Sequence, residues 1–283
     1  MQTVSTIDDV RMNVREAKSA GKRVGFVPTL GGLHAGHFSL IDAAAEECDY
    51  VVVSIFLNPT QFAPGEDLSN YPSSPQEDIV ACDGRHVDLV FMPDAKIMYG
   101  DGGLTEVSVR GLDDALCGRS RPTHFAGVCT VVSKLFNIVQ PDVAFFGEKD
   151  YQQAAIIKQM VRDMNFPLEI RTCPIVREPD GLAMSTRNRY LSAGHRAQAA
   201  SLYASLKVAA DVISRGGCDA GQVKAAVREY LGKNAPDGKI DYVEVVDSRH
   251  LTDMDALESS VLVAIAVKFA NARLIDNMVV EVG

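Results

Sequence analysis

The chain has 283 residues, 47% of them apolar, and its acidic side chains outnumber the basic ones to leave a net charge of −9. A chain of this kind can bury one large core or two modest ones, and two domains are the expectation. The acidic balance argues against a nucleic-acid-binding surface, so an anionic ligand would have to meet locally placed cations.

Asp8 and Asp9 stand where a signal peptide needs an apolar run, and the longest wholly apolar segment, residues 261–267, is too short to span a bilayer. The expectation is a cytoplasmic protein without a membrane anchor. Six cysteines (Cys48, Cys82, Cys117, Cys129, Cys173 and Cys218) are scattered with no C-x-x-C pair, which fits reduced packing thiols rather than a disulfide frame or a zinc site.

In chain order, residues 7–20 read as a helix closed by Gly21, and 23–27 as a buried strand. Pro28, Gly31, Gly32 and Gly36 forbid its continuation, and from His37 onward Leu40, Ile41, Ala44, Ala45 and Cys48 recur at helical spacing. Strand 50–56 follows and is stopped by Pro59, which leaves Asn58 and Gln61 in the loop beyond a strand's carboxyl end. Residues 67–74 read as a surface loop, 75–85 as a helix, 87–92 as a strand, 98–103 as a turn and 111–121 as a polar crossover. Helix 127–139, strand 142–146, helix 153–164 and strand 168–173 continue the alternation. Five strands alternating with helices predict a doubly wound, Rossmann-like parallel α/β sheet over residues 1–175. The first turn lacks the G-x-G-x-x-G dinucleotide fingerprint, which argues against a nicotinamide cofactor. Past a Pro- and Gly-rich loop at 175–188, helices at 195–215 and 220–232 and strands at 240–246, 261–268 and 278–282 break the alternation. They predict a smaller α+β domain over 176–283.

The stretch Phe26-Val27-Pro28-Thr29-Leu30-Gly31-Gly32-Leu33-His34-Ala35-Gly36-His37 carries the strongest chemical signal. A strand, a glycine turn and a helix start place backbone N–H groups and the positive end of a helix dipole beside two imidazoles. His-x-x-His as a metal pair lacks a third ligand of the right type nearby, and histidines that merely cap the turn leave the glycines unexplained. Phosphate binding is the reading that uses the glycines, the helix start and both histidines together. Three other loops carry polar side chains at strand ends: Asn58 and Gln61; Lys149, Asp150 and Gln153; Ser185 and Arg187. The set suits an anion together with an amide-like or carboxylate ligand. Duller roles stand beside each of these: Gln61 as a loop cap, Lys149 in a surface ion pair with Glu148 or Asp150, and Asn58 and Arg121 as structural residues.

These motifs resemble a known family. The histidine turn is similar to the HIGH-type signature of the nucleotidylyltransferase and class I aminoacyl-tRNA synthetase superfamily, and Met184-Ser185-Thr186-Arg187 resembles its KMSKS-type partner loop. Phe56-Leu57-Asn58-Pro59-Thr60-Gln61-Phe62, Arg121-Pro122-Thr123-His124-Phe125, Phe146-Gly147-Glu148-Lys149-Asp150-Tyr151-Gln152-Gln153, residues 180–188 and Arg273-Leu274-Ile275-Asp276-Asn277 narrow the resemblance to the pantoate–β-alanine ligase family, nearly end to end. The resemblance implies ATP-dependent condensation of pantoate and β-alanine through a pantoyl adenylate, with Mg²⁺, in a cytoplasmic homodimer. An adenylyltransferase acting on another substrate is the rival within the superfamily, and a nucleotide-sensing protein that has kept the fold is the rival outside catalysis.

By the same resemblance, His37, His34, Lys149 and Arg187 carry the chemistry, with His37 as general acid or proton donor. ATP falls to Leu30, Gly31, Gly32, Leu33, His34, Ala35, Gly36 and His37, to Gly147, Glu148, Lys149 and Asp150, to the Val176 backbone, and to Met184, Ser185, Thr186 and Arg187 as a mobile flap. Gln61 falls to pantoate and β-alanine and Gln153 to pantoate, with Asn58 and Arg121 beside them. No Mg²⁺ ligands are assigned. The chain departs from the family pattern at Leu30 (commonly Met), Ala35 (commonly Glu), Ser73 (commonly Arg) and Thr186 (commonly Ser), and none of these removes a proposed catalytic group.

Overall fold

The computed structural model describes residues 1–216 and 219–282, so Cys218 lies outside the described residues. The chain divides into two compact units, one formed by Met1–Asp113, Arg121–Glu148 and Gln153–Pro174, the other by Asp114–Ser120, Lys149–Gln152 and Ile175–Gly283.

The first unit is built on six parallel strands: β1 (Gln2–Val4), β2 (Val24–Thr29), β3 (Tyr50–Ile55), β4 (Leu89–Phe91), β5 (Val143–Gly147) and β6 (Glu169–Cys173), in the spatial order β1-β4-β3-β2-β5-β6. Runs such as Val51, Val52 and Val53 are wholly apolar because helices cover both faces of the sheet. On one face lie α2 (Ala35–Glu47) and α3 (Pro75–Asp83), which contribute Leu40, Ile41, Ala44 and Cys82 to a core with Val27, Val53, Val90 and Phe145. On the other face α1 (Ile7–Ser19) packs with α6 (His124–Val139), whose Phe136 meets Phe26, Phe146 and Phe166 edge-on at ring-centroid distances of 6.5, 6.5 and 5.6 Å. A short helix, α4 (Ala95–Tyr99), falls between β4 and α6, while α5 (Cys117–Ser120), which follows it in sequence, belongs to the second unit. Helix α7 (Tyr151–Asp163) runs from β5 to β6.

The strand order reverses at β2. The chain leaves β2 through α2 toward β3, while β5 pairs with the other side of β2, with Gly25 opposite Val143 and Phe26 opposite Ala144. The loops that follow β2 and β5 therefore flank a switch point, where open α/β sheets leave a crevice at the carboxyl ends of their strands.

The second unit holds α8 (Ala193–Ala199), α9 (Ser201–Ser214) and α10 (Ala220–Asn234) with an antiparallel sheet of β7 (Lys239–Asp247), β8 (Ser260–Phe269) and β9 (Ala272–Glu281). Central β8 is buried along nearly its whole length, and its Val261, Val263, Ile265 and Val267 pack with Leu202, Leu206, Val223 and Val227 of the helices. This is the α+β arrangement expected from the sequence, as the doubly wound parallel sheet of the first unit is.

Three local expectations need correction. Strand β1 escapes a reading by periodicity because it is only three residues long and gains its partner from β4, far along the chain. The single helix expected over 195–215 is two helices that meet at Ala200, and the last strand begins at Ala272 because Ala270 turns the chain with a positive φ of 47°. Among the described residues five cysteines are free thiols, four of them buried; burial pushes the Cys82 thiol up to about 11 and the Cys129 thiol up to about 12, so both act as packing groups. No helix among the described residues is long and apolar enough to cross a membrane.

Phe136 is 2% exposed, with three other aromatic rings around it. Phe136→Ala is expected to cost about 3–5 kcal/mol, read as a lower denaturant midpoint in urea unfolding.

Candidate active site

The histidine turn is shaped by a residue that carries no motif. Gly31 and Gly32 adopt φ of 90° and 65°, and a Cβ on Gly31 would stand 3.2 Å from both Asp78 Oδ2 and Ile55 Cγ2. Asp78, on α3 and 2% exposed, accepts from the backbone N–H groups of Gly32 (2.8 Å) and Leu33 (2.7 Å). Gly31 N–H donates to Thr29 Oγ1. His34 is the N-cap of α2: its Nδ1 accepts from Gly36 N–H at 3.1 Å, so the neutral ring carries its proton on Nε2. The His34 and His37 rings lie 4.1 Å apart, tilted by 40°.

Several of the turn's amides, which the sequence reading gave to phosphate, have partners inside the protein. Those of Gly31, Gly32, Leu33 and Gly36 donate within the protein, because a turn this tight folds its N–H groups back onto Thr29, Asp78 and His34. Beside them stands the pair of imidazoles of His34 and His37.

Beyond β3, Asn58 is completely buried and Gln61 is 7% exposed. Asn58 Nδ2 donates to Gln61 Oε1 (3.0 Å) and to Gly127 O (3.3 Å), while its Oδ1 accepts from Tyr99 Oη (2.7 Å), Thr60 Oγ1 (3.1 Å) and Thr60 N–H (3.4 Å). Both amide protons and the carbonyl of Asn58 are thus engaged inside the protein. Its expected place beside the substrate is corrected accordingly: it supports Gln61 and has no hydrogen-bonding capacity left for a ligand. Helix α6 presses directly on this loop, since a Cβ on Gly127 would come within 2.5 Å of Thr60 O and 2.7 Å of Gln61 N.

Arg121 is likewise committed. Its Nε and Nη2 each meet Glu66 at 2.6 Å as a fork, and Nη2 also donates to Gln61 O at 3.2 Å, beside His124 Nδ1 at 2.8 Å from the same oxygen. Burial raises the Glu66 carboxyl, but the hydrogen bonds and charge of Arg121 outweigh it and hold the group below the usual carboxylate range. Gly147 ends β5 beside the switch point, Glu148 follows it as the first residue of a 3-10 turn, and Gln153, half-buried, is the third residue of α7.

The remaining candidates belong to the second unit. Lys149 Nζ lies 3.7 Å from Asp150 Oδ1, a long contact to a half-open carboxylate, and Lys149 O accepts from Asn277 Nδ2 at 2.9 Å. Val176 O accepts from Met184 N–H (3.0 Å), so the stretch between them folds back on itself; Gly181, at φ 94°, packs with its Cα against Tyr203 where a Cβ would come within 2.5 Å of the ring. Arg177 stacks 3.8 Å above that ring and grips Asp276 with both terminal nitrogens at 2.6 and 2.9 Å. Burial drives the Asp276 carboxyl up, and Arg177 and then Lys149 pull it back in part. Arg196 ties down Glu178 and Asp180, and Asn188 bonds Glu178 and Ala183 O. Ser185 caps a 3-10 turn, Thr186–Tyr190, by accepting from Arg187 N–H, and Thr186 is 4% exposed.

Among the described residues no three His, Cys, Asp or Glu side chains converge as a metal site. The residues do not form a cage for Mg²⁺, an ion that commonly keeps its waters and binds through substrate phosphates.

Residues 2–279 match the model of the Pantoate-beta-alanine ligase family. The chain belongs to that family. Pantothenate synthetases of Acetivibrio thermocellus and Enterococcus faecalis are each 50% identical to it, over 100% of both chains in the first case and 99% of both in the second. The crystal structure of pantothenate synthetase from Thermus thermophilus superposes with a TM-score of 0.93 at 41% identity, over 98% of this chain and 99% of that one. A pantoate-beta-alanine ligase from Francisella tularensis, in complex with beta-gamma ATP and beta-alanine, gives a TM-score of 0.81 at 35% identity over 98% and 97%.

Family membership gives two expectations a direct readout. Gly127→Ala is expected to push the 58–61 loop off its seat and lower ligase turnover at least tenfold while the protein still folds, measured as pantothenate formed beside circular dichroism. Because the Glu66 carboxyl is depressed from its ordinary 4.5, its contribution to stability is full above that value and is lost as pH falls through the folded-state value. The stability gap between wild type and Glu66→Gln is therefore expected at pH 7 and should close in unfolding curves taken progressively below about pH 4.5.

Proposed function

We propose that the chain joins pantoate to β-alanine at the expense of ATP, releasing AMP and pyrophosphate and passing through pantoyl adenylate. The single observation that carries this is the glycine turn at the sheet's switch point, which presents His34 and His37 side by side in a chain that belongs to this ligase family from end to end.

A carboxylate does not acylate an amine at neutral pH, because its leaving group would be oxide. Converting it to a mixed anhydride with AMP supplies a good leaving group, and what the enzyme adds is placement and stabilisation of charge. In this reading His34, its Nδ1 committed to the Gly36 amide, donates from Nε2 to the nucleotide's phosphates. His37 is the proton donor as charge builds on the departing pyrophosphate. Lys149, a compact cation whose main chain is pinned by Asn277, neutralises the α-phosphate during attack, and Gly147, Glu148 and Asp150 shape the ground around it. Gln61 and Gln153 hold pantoate's hydroxyls and carboxylate. Ser185, Thr186 and Arg187, carried on the loop that Arg177 and Arg196 brace, cover the triphosphate, and water kept from the adenylate cannot hydrolyse it. Magnesium, if it takes part, would be held by the nucleotide's phosphates and would offset their charge there. A homodimer and a cytoplasmic location belong to the same reading, supported by the resemblance and by thiols that remain unpaired among the described residues.

ATP and pantoate together are expected to release pyrophosphate, and β-alanine to add AMP and pantothenate. An absence of pyrophosphate, or of pantothenate once the amine is present, would refute the assignment. His37→Ala is expected to lower turnover by about two orders of magnitude or more with an unchanged thermal unfolding midpoint.

A further inference from the structure

Gln61 is an amide with two different ends, and the protein settles which end faces a ligand. The decision begins at Asn58, whose own amide is fixed by two backbone groups that cannot exchange roles. Thr60 N–H, which only donates, faces Oδ1; Gly127 C=O, which only accepts, faces Nδ2. Tyr99, from the short helix α4, adds its hydroxyl proton to Oδ1 at 2.7 Å, the shortest contact in the group. Its phenol is raised by burial, so it remains a donor across the physiological range. With one Nδ2 proton on Gly127 O, the other is directed at Gln61 Oε1. Gln61's backbone is pinned as well, its carbonyl held by Arg121 and His124 and its N–H side closed by Gly127. Among the described residues none accepts a hydrogen bond from Gln61 Nε2.

We propose that Tyr99 and Asn58 are positioning residues that lock Gln61 as a hydrogen-bond donor, so that it binds the oxygen atoms of the acid substrate and rejects an ammonium group at the same place. The identity of the acid as pantoate rests on the ligase reading above; the locked orientation does not. An amide held this way donates to a carboxylate or hydroxyl oxygen but offers nothing to a cation, which itself can only donate. It thereby discriminates an oxygen acceptor from an ammonium group at this one place, because a site that leaves polar groups unpaired with the wrong group rejects it strongly. If Gln61 meets β-alanine at all, it does so through that molecule's carboxylate.

Two measurements test this. The first needs no substrate: side-chain amide proton exchange by NMR is expected to be slow for Asn58 and fast for Gln61 in the free protein. Protected Gln61 side-chain protons in the free protein would overturn the proposal.

The second is calorimetric binding of pantoate and of ATP to three proteins. Gln61→Glu keeps the acceptor that Asn58 holds and replaces the donor by a second acceptor. It is expected to weaken pantoate at least tenfold with an unchanged unfolding midpoint, and affinity within twofold of wild type would overturn the donor assignment. Tyr99→Phe deletes one hydroxyl and is expected to weaken pantoate about three- to tenfold and leave ATP unaffected. Equal weakening of both ligands, or of neither, would remove Tyr99 from the relay. Should wild type bind no pantoate, the ligase reading fails and the exchange measurement alone decides the orientation of Gln61.

Discussion

A buried carboxylate holding two backbone amides is the contact on which the rest of the site hangs. Asp78 takes the N–H groups of Gly32 and Leu33 at hydrogen-bond distances typical of a charged acceptor. Each such bond contributes on the order of 1.5–3 kcal/mol, against roughly 0.3–1 kcal/mol for a charge at a helix end. The shape of the turn is therefore set by α3, through Asp78, more than by the dipole of α2. Once Gly31 and Gly32 are held in their left-handed conformations, His34 falls at the N-cap and His37 one turn into the helix, which brings the two rings together.

The same economy recurs elsewhere. Side chains that face outward are oriented by neighbours that occupy their other ends. Gln61 is aimed by Asn58, the loop after Val176 is braced by Arg177 on Asp276 and by Arg196 on Glu178 and Asp180, and the Lys149 main chain is fixed by Asn277. Asp276 is an instructive case, since burial alone would favour its neutral form and the guanidinium of Arg177 restores part of the difference. Placement of this kind suits a reaction whose barrier is lowered by alignment and charge rather than by a strong nucleophile on the protein.

Much of this was legible in the sequence because it depends on local patterns. Apolar runs bounded by glycine and proline gave the buried parallel strands, and Gly31, Gly32, His34 and His37 announced the turn. What remained hidden depends on partners distant along the chain. Asp78 sits on a short helix without a clear apolar face, and nothing in its neighbourhood signals that its carboxylate reaches a turn 45 residues earlier. Asn58 read as a ligand because polar side chains at strand ends usually are, and Arg121 by the resemblance, with a structural role open for both; burial and the positions of Tyr99, Gly127 and Glu66 give each its partners inside the protein. Asp276 and Asn277 were visible as part of a resemblance, but their work on Arg177 and Lys149 appears only in three dimensions.

The composition of the second unit has an implication for how the protein is made. Two short stretches, Asp114–Ser120 and Lys149–Gln152, belong with the carboxyl-terminal portion, and the Lys149 carbonyl finds Asn277 across 128 residues of chain. During synthesis the sheet of the first unit can assemble early, yet these two excursions have no home until the final strand leaves the ribosome. The segment that carries Lys149 is thus expected to be ordered late, and a truncated product with a complete parallel sheet would still lack the contact that fixes the Lys149 main chain.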